Sequence, residues 1–374
     1  MIAVVYITFF SLVVILLLVS LYLINSLIVK QYRKKKMKKE FNKIEQNFYK
    51  HMKKGGVTLI PLMEIKFLRK KVNTCEGLQI FTEVFQKYVK ENSYTEQLKS
   101  YVGNIIEFET IYKNKVVKGK YRDSYILYLT AIYKITTEES KDYAFKMLDD
   151  DALYTRNNAL RVLQNFEDTQ EIIKALEIIS KSDKYFNEKI IVEFLEGFCG
   201  DRAKLSLDIV NNIEDFKDEV ISAIIQYFTK MREEQNEVQE KILYLLALAN
   251  SEEIVIEATK YFGYIKNNDA IEMIMNNLEH PNWEVRATSA EMLRTYDTVQ
   301  NIKRLKEKLF DSNWFVKMNS AFSLVNMNIN LVKFNDIINS EDKSALQVYN
   351  YALYKKGKIS IQEFNQMQEY KEVI

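Results

Sequence analysis

Leu278-Glu-His-Pro-Asn-Trp-Glu-Val-Arg-Ala-Thr-Ser-Ala-Glu-Met-Leu293 is followed by Leu309-Phe-Asp-Ser-Asn-Trp-Phe-Val-Lys-Met-Asn-Ser-Ala-Phe-Ser-Leu324. The two stretches lie 31 residues apart and match Leu, Asn, Trp, Val, Arg/Lys, Ser, Ala and Leu in register. A fixed period of this size marks a stacked-repeat chain, in which each unit buries its apolar face only against its neighbours. Leu148-Asp-Asp-Asp-Ala-Leu-Tyr-Thr-Arg-Asn-Asn-Ala-Leu-Arg-Val-Leu163 is a more distant copy, with Leu148, Arg156 and Leu163 falling at an offset of 130 from Leu278, Arg286 and Leu293. Weaker apolar copies occupy residues 188–198, 218–228, 238–248 and 254–263. Chains of this kind work by presenting a surface.

The composition agrees with helices. Only 9 Gly and 2 Pro occur among 374 residues, and 47% of the chain is hydrophobic. Few positions can therefore supply the special backbone angles that a sandwich or barrel demands at its turns. From about residue 124 onward, amphipathic segments of roughly 10–15 residues alternate with short polar breaks. Upstream, Phe41, Ile44, Phe48 and Met52 keep helical spacing until Gly55-Gly56 and Pro61 interrupt it. Leu62, Ile65, Phe67 and Leu68 begin a second helix, and Leu78, Phe81, Val84, Phe85 and Tyr88 mark a third. Tyr125, Tyr128, Tyr133, Tyr227 and Phe228 fall on apolar helical faces and are expected in the core.

The pattern Leu-x-Asp/His-x-Asn-x-x-Val-Arg/Lys-x-x-Ser-Ala-x-x-Leu resembles the first helix and leading turn of HEAT or HEAT-like repeats. The resemblance covers residues 145–165 and 278–325; beyond them it rests on helical period. It implies an all-α fold, an α-solenoid of antiparallel helix pairs, whose usual role is protein binding. The proline that longer repeats of this type often carry inside the first helix is missing, which leaves the subtype open. Trp283, Val285 and Arg286, with Trp314, Val316 and Lys317, are expected to be structural residues of the repeat. The tryptophans share one register beside a leading turn, the place of a packing residue, with a partner anchor as the alternative. Arg156, Arg286 and Lys317 should hold a neighbouring turn through an acidic or carbonyl partner. Pro281, Asp311 and Ser312 suit helix starts.

Residues 2–29 carry no charge. Roughly 20 apolar residues span a bilayer as a helix, so this run predicts one N-terminal transmembrane helix. A cleaved signal peptide would need a basic n-region and a small-residue cleavage site, and neither is present. Lys30, Arg33, Lys34, Lys35, Lys36, Lys38 and Lys39 follow at once. Basic residues stay on the cytoplasmic side, which predicts a single-pass cell-membrane protein with its N-terminus out and its C-terminal domain in the cytoplasm. The same cluster either enforces topology alone or also contacts anionic lipid. Residues 1–71 hold 15 Lys or Arg against 3 Glu, a balance of +12, so with +2 overall residues 72–374 carry −10. The expected organisation is a membrane helix at 1–29, a basic juxtamembrane connector at 30–56, a helical cap at 57–121 and the solenoid at 122–374.

No residue pattern announces catalysis. His51 and His280 are far apart, without metal-ligand spacing. Asp149, Asp150 and Asp151 lack the loop that a calcium site needs and read as a solvated helix start. Cys75 and Cys199 read as reduced thiols that fill a core. No Gly-rich phosphate loop or nucleophile elbow occurs. The expectation is a membrane-anchored cytoplasmic scaffold without cofactor or metal, binding a membrane-associated protein partner and supporting a bacterial envelope or polysaccharide-synthesis complex. The alternatives are a HEAT-like enzyme, glycosylase or bilin lyase, and an anionic-lipid-binding module. The acidic balance of residues 72–374 opposes a nucleic-acid partner.

Overall fold

A computed structural model describes residues 2–52, 61–113, 119, 121–327 and 343–369, without the side chains of 2–13, 30, 33, 34, 368 and 369. Every regular element among the described residues is helical. They form two compact units, Met1–Met147 and Leu148–Ile374.

The first unit contains α1 (Ile2–Met52), α2 (Leu62–Val72), α3 (Cys75–Glu91), α4 (Glu96–Gly103), α5 (Phe108–Lys113), α6 (Arg122–Ile132) and α7 (Glu138–Met147). The end of α1 enters the core through Ile44 and Phe48, as the helical spacing predicts. The Phe48 ring sits edge-on to Phe81, Tyr88 and Tyr101, with centroids 6.2, 5.2 and 5.1 Å away. Thr74 and Thr95 cap α3 and α4 by accepting the N–H of Gly77 and Leu98. Tyr133 is buried and shares a 2.7 Å hydroxyl contact with Thr82, and burial pushes its phenol well above the ordinary value. Ile126, Leu129 and Tyr133 share this core with Phe81 and Phe85. Thus α6 and α7, expected to open the solenoid, belong to the first unit. Leu62, Ile65, Phe67 and Leu68 fall on the helix α2 as the spacing predicts, with Leu68 buried and Leu62 75% exposed. The break at Gly55-Gly56 lies outside the described residues.

The membrane span expected at residues 1–29 gains no support among the described residues, none of whose helices is long and apolar enough to cross a membrane. Of the uncharged run, residues 14–29 have described side chains. Their apolar side chains are exposed, Leu21 by 63% and Tyr22 by 74%.

The second unit is a double row of helices. Its elements are α8 (Leu153–Leu163), α9 (Thr169–Lys181), α10 (Glu188–Glu196), α11 (Arg202–Asn212), α12 (Asp218–Met231), α13 (Asn236–Leu248) and α14 (Glu252–Tyr264). They continue through α15 (Asn268–Asn276), α16 (Trp283–Met292), α17 (Val299–Lys308), α18 (Trp314–Asn326), α19 (Lys343–Lys355) and α20 (Ile361–Glu369). First helices α8, α10, α12, α14, α16 and α18 pack side by side, and α9, α11, α13 and α15 form the second layer. Each unit thus buries its apolar stripe against the next one. Three of the four weak copies are first helices, α10, α12 and α14; residues 238–248 fall on α13, a second helix. Both rows carry the same apolar period, so the pattern cannot tell them apart.

The register positions of the repeat have clear physical roles. Leu148, Leu278 and Leu309 are fully buried, as are Leu163, Leu293, Val285 and Val316. Each such aliphatic side chain contributes about 1.5–3 kcal/mol by leaving water. Ser289, Ala290, Ser320 and Ala321 are fully buried too, and their small size lets α16 and α18 approach. Across that approach Asn319 donates to the Ala287 carbonyl at 2.9 Å and Ser323 to the Ala290 carbonyl at 2.7 Å. Three first helices, α10, α16 and α18, start at an asparagine: Asn187, Asn282 and Asn313 accept the N–H two residues ahead. Pro281 therefore lies ahead of the cap, and Asp311 serves the turn by accepting the Asn313 N–H at 2.8 Å.

Candidate functional site

The basic residue of the repeat ties consecutive units together. Arg286 Nη1 donates to the carbonyls of His280 and Pro281 at 2.8 and 2.9 Å. Its Nε and Nη2 donate to both Asp311 oxygens, at 2.9 and 3.0 Å. One side chain thus closes its own leading turn and grips the next, in a pair whose side chains are 13% and 6% exposed. Burial would raise the Asp311 carboxyl, but the Arg286 bonds, the Asn313 N–H and the nearby cations outweigh it and hold the group below the usual carboxylate range. Arg156 does the same with carbonyls alone, donating to Asp150, Asp151 and Tyr185 at 2.8, 3.1 and 2.9 Å. Lys317 is 9% exposed and reaches Ser344 Oγ at 3.3 Å. These contacts are architectural.

The tryptophans lie differently from a packing residue. Trp283 is 38% exposed and Trp314 51% exposed, against full burial for Val285 and Val316 in the same motif. Each is the first residue of its helix. Helical side chains lean toward the N-terminus, so a bulky group there projects past the leading turn rather than into the core. Phe315, itself 52% exposed, completes an aromatic ledge. It stacks on Trp283 with centroids 5.2 Å apart and meets Trp314 edge-on at 5.2 Å. Phe315 carries no counterpart in the Leu278 copy, where Glu284 stands, so the repeat match gave no signal for it.

The ledge borders an open groove along the first-helix row. A depression of about 420 Å³ is lined by Glu253, Glu257, Lys260, Trp283, Glu284 and Phe315, among others. A larger one of about 800 Å³ lies against the α9–α10 turn and shares Glu188, Glu257 and Lys260 with it. A third, of about 340 Å³, reaches Arg232 and Tyr264 and again includes Glu257 and Lys260. The three meet at the Glu257–Lys260 ion pair, 2.6 Å long.

The remaining candidates are scattered. Lys35, Lys36, Lys38 and Lys39 are exposed on α1, while the side chains of Lys30, Arg33 and Lys34 lie outside the described ones. Lys36 lines, with Ile28, Val29, Tyr32, Lys70 and Lys71, a depression of about 1080 Å³ beside the α2–α3 turn. His51 contacts Glu64 at 2.9 Å, and His280 accepts the Asn282 N–H at 3.1 Å. Asp151 pairs with Lys184, and Asp150 caps the Ala152 N–H. No acidic, His and Cys cluster suited to a metal occurs among the described residues. Cys75 and Cys199, expected in a core, are both exposed. Cys75 opens α3 and Cys199 lies in the turn after α10, places where a side chain projects outward.

Comparison with known proteins agrees with this architecture over part of the chain. Residues 239–325 match the family of HEAT repeats. No curated protein matches. Among solved structures, the chain is similar to the complex of CpcE and CpcF of phycocyanin lyase from Nostoc sp. PCC7120, at 15% identity over 71% of this chain and 94% of that one, with a TM-score of 0.29. Two engineered proteins match at 14% identity each, covering 78% and 71% of this chain and 88% and 96% of theirs, with TM-scores of 0.32 and 0.24. Likenesses this distant decide nothing about activity. The helical array that includes residues 239–325 is a HEAT-like solenoid.

Proposed function

We propose that this chain is a membrane-anchored cytoplasmic scaffold that captures a protein partner on the first-helix row of its solenoid. The observation that carries the reading is the exposed ledge of Trp283, Phe315 and Trp314 beside an open groove. Large aromatic side chains left half in water on a rigid helical frame are the residue types that dominate binding energy at protein interfaces. The anchor and the sidedness rest on the uncharged residues 2–29 and the cations that follow them. The exposed Lys35, Lys36, Lys38 and Lys39 would then face an anionic leaflet. A role beside an envelope or polysaccharide-synthesis complex is the setting that this layout suits.

The test is purification of the full chain from its native membranes in mild detergent. A stoichiometric protein should be retained by the natural chain and lost when Trp283 and Trp314 are both replaced by Ala. Recovery of the chain alone, at native expression, contradicts the scaffold reading.

A further inference from the structure

The surroundings of the ledge carry an uncompensated negative charge. Its depression is lined by Glu188, Glu253, Glu257 and Glu284, with Lys260 as the single cation. Lys260 is committed to Glu257 at 2.6 Å, and Glu188 accepts a hydrogen bond from the neutral Gln226 at 2.6 Å. Glu253 and Glu284 are exposed and have no ion pair among the described residues. Gathering like charges beside apolar rings weakens a fold slightly and serves no packing purpose on its face. Aromatic faces are themselves electronegative, so the rings and the carboxylates favour the same ligand: a cation with an apolar body. Residues 148–374 hold 27 Lys or Arg against 38 Asp or Glu, a balance of −11 that would steer such a ligand from a distance.

We propose that the ledge of Trp283, Phe315 and Trp314 is the docking site for a cationic polypeptide segment of the partner, with Arg or Lys side chains lying over the rings and their charges turned to Glu253 and Glu284. This inference rests on the scaffold reading and names the chemistry of the partner. Arginine suits the site best, because its planar guanidinium stacks on aromatic faces while donating to carboxylates.

The experiment uses the full chain and a labelled synthetic peptide of alternating Arg and Leu, with Glu/Leu and Ser/Leu counterparts. The 2 Trp of the chain, Trp283 and Trp314, both sit in the ledge, so intrinsic emission reports on this site alone. The Arg/Leu peptide should give a saturable rise in anisotropy and a change in Trp emission, both weakening as salt is raised. Glu253→Gln with Glu284→Gln should weaken binding about tenfold, with the helical circular-dichroism spectrum of the chain retained because both residues are exposed at helix starts. The Glu/Leu peptide should leave emission unchanged. Binding that ignores salt and the double substitution, or equal binding of the Glu/Leu peptide, overturns the inference. A retained partner that contacts the ledge through a neutral or acidic segment also overturns it and leaves the scaffold reading standing. Tight Arg/Leu binding by a chain that retains no partner in native membranes supports the site and removes the scaffold reading.

Discussion

Arg286 shows how much of a repeat protein hangs on one side chain. It satisfies two carbonyls of its own turn and both oxygens of Asp311 in the next, almost out of water. Removing one partner of such a pair strands the other. Arg286→Ala should therefore cost about 3–5 kcal/mol, measured by denaturant unfolding. Arg286→Lys should recover little, since one ammonium cannot make the forked contact. Because the Asp311 carboxyl is held below its unfolded value, its contribution is complete above the ordinary carboxylate range and fades as the pH falls through the folded value. The stability lost on Asp311→Asn should accordingly be large at neutral pH and shrink in acid. The tryptophans give the opposite result. Trp314→Ala should cost no more than about 1 kcal/mol, whereas Leu293→Ala, at a fully buried position, should cost about 2–5 kcal/mol. A large loss at Trp314 would mean that it packs after all. The role of Arg286 was legible in the sequence, because a basic residue at one register of a repeat has only its neighbours' turns to meet. The exposure of Trp283 and Trp314 was not, since register alone does not say whether a first-turn side chain leans inward or past the end of its helix.

Helices fare better than their ends. Apolar spacing placed α3, the end of α1 and the first helices of the array, because burying a stripe every 3–4 residues is what holds each of them. It misplaced residues 238–248, since first and second helices share that period, and it did not show that α6 puts Ile126 and Leu129 into the core of the first unit. The close packing of α14 on α16 was also invisible. A Cβ built on Gly263 would lie 2.1 Å from Met292 Sδ and 2.9 Å from Met292 Cβ. In an exposed helix, Gly→Ala stabilises by roughly 1 kcal/mol. Here Gly263→Ala should instead destabilise by about 1–3 kcal/mol through overpacking, read from the shift of the thermal midpoint. The companion substitution Met292→Ala should remove the Sδ and Cγ contacts, leaving only the 2.9 Å approach to Cβ, and restore part of the loss, a coupling that additive effects would not produce.

At the scale of the whole chain, charge separates the units: Met1–Met147 carries +13 and Leu148–Ile374 carries −11. Under the proposed function, the basic end meets the membrane and the acidic solenoid meets the partner. That function requires the first-helix groove, and not the start of α17, to meet another protein. Site-specific photocrosslinking in native cells distinguishes the two, with a benzophenone amino acid at Phe315 in the ledge or at Val299 on α17, where the side chain is 85% exposed. Position 315 should give one discrete adduct of a single protein and position 299 none. Adducts from 299 but not from 315, or none from either, would contradict that function.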